Sequence, residues 1–86
     1  MNQRTPLGRR LEKARKRHAG LSARQLALNA DLSPGMVSLI ERGDRGGSIR
    51  ATTIDALARA LGVSPAWLLN GDGDGPDADD AKRGAA

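Results

Sequence analysis

Three times along this chain a hydroxyl side chain stands directly before a proline: Thr5-Pro6, Ser33-Pro34 and Ser64-Pro65. Such a hydroxyl can accept from the free N–H groups of a first helical turn. Proline has no N–H to lose there, and its φ is already helical. Each pair therefore reads as a helix start. Stop signals follow at Gly20, Gly43, Gly62 and Asn70-Gly71, because glycine readily takes the left-handed conformation that closes a helix. A chain punctuated in this way has room only for short helices. The apolar spacing agrees. Leu7, Leu11 and Ala14 share one face of a helix from Pro6 to about His18. Leu26, Ala27 and Ala30 do so in a second, capped by Ser22 and running from Ala23 to Ala30. Val37 and Ile40 face inward from a third that starts at Ser33-Pro34. Ile54, Leu57, Ala58 and Leu61 stripe a fourth from Ala51, and Trp67, Leu68 and Leu69 belong to a short fifth. No segment alternates apolar and polar residues long enough for a strand. The expected fold class is all-α, with five short helices.

The 86 residues suffice for one small domain. One Trp, with no Phe and no Tyr, excludes the aromatic platforms that stack single-stranded bases. With no Cys and only His18, neither a zinc finger nor a disulfide-stapled scaffold is available, and no metal or cofactor is expected. No apolar run approaches the roughly 18 residues of a membrane span. No apolar stretch follows the basic N-terminus as in a signal peptide, so a cytoplasmic protein is expected. Gly43, Gly46 and Gly47 lack the Gly-Lys-Ser/Thr that would make a phosphate loop, and no Gly-rich elbow supports a Ser hydrolase. Nothing points to an enzyme.

Charge is divided along the chain. Residues 1–71 hold twelve Lys/Arg and five Asp/Glu, a net +7, whereas residues 72–86 hold five Asp and two basic residues, a net −3. A basic domain without active-site chemistry suits a polyanion, although a merely solvated charged helix face is the plainer reading of Arg9, Arg10, Lys13, Lys16 and Arg17. The last stretch, rich in Gly and Asp, cannot bury enough surface to offset its ordering entropy. The division expected is an arm at 1–6, a domain at 7–71 and a disordered acidic tail at 72–86.

The second and third helices are joined by the turn Asn29-Ala30-Asp31-Leu32, where Asn29 or Asp31 can take the left-handed corner. Two short helices with so tight a connection have helix-turn-helix geometry, in which the second helix enters the major groove of DNA and the first crosses the backbone.

The order of motifs resembles the XRE family, the phage-repressor and Cro-like helix-turn-helix proteins. It is carried by Leu21-Ser22-Ala23-Arg24-Gln25-Leu26-Ala27, by Leu32-Ser33 and Val37-Ser38-Leu39-Ile40-Glu41-Arg42-Gly43, and by Ala58-Arg59-Ala60-Leu61-Gly62-Val63-Ser64 with Trp67-Leu68-Leu69. The resemblance covers roughly residues 7–71. It implies a compact, five-helix, lambda-repressor-like domain that binds double-stranded DNA, usually as a symmetric homodimer on a palindromic site. It assigns base contacts to Ser33, Pro34, Gly35, Met36, Ser38 and Leu39, with Met36 exposed. Phosphate contacts fall to Ser22, Ala23 and Arg24 at the start of the second helix, and to Arg42, Arg45 and Arg50 around the following loop. Glu41 is expected to pair with Arg15 in a structural ion pair. Trp67 matches a packed position of the family.

Three positions depart from the family pattern. Pro34, Gly35 and Met36 stand where Gln, Ser or Arg is common, and Leu39 replaces a frequent polar residue, so the helix offers no bidentate reader of guanine or adenine before Arg42. Ala23 replaces a common phosphate-binding Gln, and the loop after Gly43 is about two residues longer than usual. Affinity is therefore expected to be largely electrostatic, with specificity shared between thymine contacts and DNA shape. The expected function is a transcriptional repressor without a ligand domain. The alternative is a protein-interaction module, such as an antitoxin or anti-repressor, that keeps the fold and presents the apolar Pro34-Gly35-Met36-Leu39 surface. Helix five and the chain near Ile49 are the candidate dimer surface.

Overall fold

The computed structural model describes residues 5–43 and 49–76. Five helices follow one another: α1 (Pro6–Arg17), α2 (Ala23–Asn29), α3 (Met36–Arg42), α4 (Ala51–Leu61) and α5 (Pro65–Asn70). No strand occurs among the described residues. Three hydroxyls cap helices as their positions suggest. Thr5 Oγ1 accepts from the Gly8 amide, Ser22 Oγ from Gln25 and Ser64 Oγ from Trp67, each at 3.0 Å.

The third helix departs from the expectation. It begins at Met36, not at Ser33-Pro34, and its cap, Gly35, offers no side-chain bond. The carbonyl of Ser33, rather than its hydroxyl, accepts from the Met36 amide at 2.9 Å. Pro34 and Gly35 are then the middle of a β-turn, with Gly35 at φ −88 and ψ −3, the values of the third residue of a type I turn. Ser-Pro suits a turn as well as a helix start, and the glycine after it tips the balance toward the turn. At the corner after α2, Asp31 takes the left-handed conformation, at φ 64, whereas Asn29 stays helical and accepts from Gln25 Nε2 at 2.9 Å.

Packing is pairwise: α1 lies on α3 and α5, α2 on α3 and α4, and α4 on α5. Apart from the Glu41 carboxylate, the buried side chains among the described residues are aliphatic: Leu11 and Ala14 from α1, Leu26 and Ala27 from α2, Val37 and Ile40 from α3, Ile54, Leu57, Ala58 and Leu61 from α4, and Leu68 from α5, with Ala30 and Val63 beside them. Trp67 is half-buried and packs against this core from outside. Helices with small contact residues approach closely, and Gly8 is the closest case. A Cβ there would stand 2.7 Å from the Ile40 carbonyl oxygen and 2.9 Å from that of Glu41. The backbones of α1 and α3 thus touch directly at the carboxyl end of α3.

The expected tail begins at residue 72, yet residues 72–76 fold back over the start of α5. The Ser64 amide donates to the Asp74 carbonyl at 2.8 Å, and its hydroxyl to the Asp72 carbonyl at 3.2 Å. Gly75 lies against the Trp67 indole so closely that a Cβ would come within 2.6 Å of Cε2. One backbone hydrogen bond, one from the Ser64 hydroxyl and a glycine contact hold this strap, and none needs an apolar side chain in the strap itself. The remainder of the expected tail, residues 77–86, lies outside the described residues.

Candidate nucleic-acid interface

The second and third helices need a fixed relation before they can read anything, and Arg15 supplies much of it. Its Nε donates to Glu41 Oε2 at 2.7 Å and its Nη2 to Glu41 Oε1 at 3.0 Å, a bidentate pair from α1 to α3. Its Nη1 donates to the Leu21 carbonyl at 2.9 Å, directly ahead of the Ser22 cap of α2. One guanidinium therefore holds three elements in register. Both side chains are largely buried, 15% and 8% exposed. The Glu41 hydrogen bonds raise the Arg15 pKa above its ordinary value, against the opposing effect of burial. No buried side-chain nitrogen or oxygen among the described residues lacks a partner, so the polar centre is satisfied rather than strained.

On α3 the residues divide by helical spacing. Val37, Ile40 and Glu41 are buried. Gly35, Ser38, Leu39 and Arg42 share the other face: Gly35 and Arg42 are exposed, and Ser38 and Leu39 half-exposed. Ser33 and Pro34 are exposed in the turn before them. Met36 stands at the edge of this face, not fully exposed as expected but with the same intermediate exposure as Ser38 and Leu39. It also packs against the core, one turn before Ile40.

The expected phosphate contacts surround this face unevenly. Ser22 and Arg24 are exposed at the start of α2, and Ala23 is half-buried. Arg50 is exposed at the cap of α4. Arg45 lies outside the described residues. Arg42, Ser38 and Ala23 border one cleft of about 230 Å³, lined also by Arg15, Glu41 and Glu12. The structure thus brings together in one depression residues of α1, α2 and α3 that are far apart in sequence.

Three functional details were not read from the sequence. Glu12 lines this cleft from α1. Gly8 sets the approach of α1 to α3, and its signal was present as an isolated glycine inside a helical pattern. Arg10 looked like a solvating charge, but its Nε and Nη2 donate to the Leu68 and Leu69 carbonyls at 2.8 and 2.7 Å. It thereby closes the carboxyl end of α5, where a cation is favoured.

No curated protein matches the chain. The helix-turn-helix family profile matches residues 11–68, from the first buried leucine of α1 to the buried leucine of α5. That span includes the Arg15–Glu41 pair, the α2–α3 turn and the exposed face of α3. It excludes the strap. This is a family of DNA-binding regulatory domains, not typically catalytic ones, and no described helix is long and apolar enough to cross a membrane. With its fold, the geometry of its helix pair and this match in agreement, the chain belongs to the XRE family of helix-turn-helix DNA-binding proteins.

Proposed function

We propose that the protein is a cytoplasmic repressor that binds a palindromic DNA operator as a homodimer, with α3 of each copy in the major groove. The observation that supports this best is the exposed face of Ser33, Pro34, Gly35, Ser38, Leu39 and Arg42, held by a bidentate ion pair behind it. Ser33 and Ser38 supply hydroxyls to base edges, and Pro34 and Leu39 apolar contacts to thymine methyls. Arg24, Arg42 and Arg50 carry the phosphate contacts, and Met36, half-exposed at the start of α3, adds an apolar contact at the edge of the reading face. The folded domain runs from the Thr5 cap of α1 to the strap at residues 72–76, so the boundary expected at residue 7 moves back to the cap. The rest of the expected arm lies outside the described residues.

The contact between copies falls where Leu69, half exposed, stands beside a cleft of about 240 Å³ lined by Leu7, Ile40 and Ile49. A protrusion next to a recess on one patch suits an isologous two-fold contact. The patch has far fewer residues than the roughly 20–30 a side of a stable interface, so pairing is completed on DNA.

Selection of sites from a random double-stranded DNA library tests the reading. A recovered palindrome supports it, and the Leu69→Asp variant should then recover half-sites alone. No enrichment from a folded, helical protein would sink it in favour of a protein-interaction module.

A further inference from the structure

The cleft between α1, α2 and α3 carries two carboxylates among its cations, and they do different things. Glu41 is engaged by the Arg15 guanidinium through both oxygens. Glu12 stands one turn earlier on α1, its side chain 29% exposed, with Oε2 3.7 Å from Lys16 Nζ. It lines the same cleft as Arg15, Ser38 and Arg42. Its negative charge also contributes to raising the Arg15 pKa, behind the larger effects of Glu41 and burial, so it acts electrostatically on the cleft as well as bordering it.

On the DNA-binding reading, α3 seated in the major groove would bring a phosphate near this depression, which Ser38 and Arg42 border. The phosphate then meets a carboxylate already placed among the cations. We propose that Glu12 is an affinity-limiting residue: a built-in anion that holds the place of a DNA phosphate and restrains sequence-independent binding. Its charge repels the incoming phosphate, and it competes with that phosphate for Lys16. Neither effect depends on base sequence, so both act equally on operator and random DNA. A chain with net charge +4 would otherwise be held more tightly by bulk DNA. This inference rests on the DNA-binding reading above.

The test uses the full-length protein and a random-sequence duplex of about 20 base pairs, so that no operator need be known. Glu12→Gln should bind it about three- to tenfold more tightly than wild type at low salt, the range expected for one partly screened charge. Glu12→Lys should gain more, and Glu12→Asp should stay near wild type. Because Lys16 is released to a phosphate, the slope of log affinity against log salt should steepen by up to about 0.9 in Glu12→Gln. In a Lys16→Ala background the gain and the steepening should both shrink. Circular dichroism establishes that each variant is folded, and the Lys variant reads the same charge effect should the Gln variant fail to fold. Unchanged or weaker binding by folded Gln and Lys variants overturns the proposal while leaving the DNA-binding reading intact. Absence of duplex binding by wild type and variants alike overturns both.

Discussion

Glu41 is the buried acid on which α3 depends, and its value lies in placement. Removing one member of a buried pair strands the other charge. Glu41→Ala should therefore destabilise the fold by about 3 kcal/mol, measured by urea denaturation. Replacing Arg15 and Glu41 together with Met should recover most of that loss, because the desolvation penalty goes with the charges. If the pair exists for register, the double variant should stay folded and still lose DNA affinity. Equal affinity in the double variant would reduce the pair to a stability device. The sign of the pH effect is fixed by the raised pKa of Arg15. Its contribution is complete below the ordinary arginine value and is lost only as pH rises through the higher folded value, so ordinary buffers do not touch it. At Gly8 two effects oppose each other. Alanine gains roughly 1 kcal/mol of helix propensity, but its Cβ meets two backbone carbonyls that cannot move without moving α3. Overpacking of this kind costs about 1–3 kcal/mol, so Gly8→Ala should be net destabilising by thermal melting. A rise in Tm would show that the helices have room to part.

Among the elements, the caps separate what was legible from what was not. Ser22→Ala and Ser64→Ala should each cost about 1 kcal/mol, as lost N-caps do. Ser33→Ala should change stability by less than about 0.5 kcal/mol, because its hydroxyl caps nothing, while still weakening site-specific binding. A large stability loss there would restore the sequence expectation that α3 begins at Ser33. α1, α2, α4 and α5 were readable because local rules agree at their ends: a capping hydroxyl or a closing glycine, and a stripe of aliphatic residues between. The start of α3 was ambiguous because Ser33-Pro34-Gly35 satisfies two local rules at once, and the glycine that follows the proline favours the turn. The strap at residues 72–76 left no signal in the sequence, because hydrogen bonds from the Ser64 amide and hydroxyl to its carbonyls and a Gly–indole contact require no hydrophobic pattern. The roles of Arg10 and Glu12 depend on which helices α1 crosses, a matter of topology that no window of sequence contains.

At the scale of the whole molecule, the charges and the core sort into separate regions. The polar machinery lies where α1, α2 and α3 meet, and the core behind it is aliphatic and closely packed. On the proposed reading, a domain built in this way would bind DNA mainly through its cations. If about four to six phosphates are neutralised per dimer, log affinity should fall against log salt with a slope of roughly −4 to −5, measured by fluorescence anisotropy between low and moderate salt. A slope near zero would contradict an electrostatic interface.

The strap over Trp67 has an optical consequence. Trp67 is the chain's only tryptophan, and there is no tyrosine, so essentially all of its near-ultraviolet emission comes from the one indole that Gly75 covers. Lifting the strap uncovers that ring to water without disturbing the buried leucines, and its emission shifts to the red. The protein thus carries its own fluorophore beside residues 72–76, and a red shift of its emission would report their release from the ring.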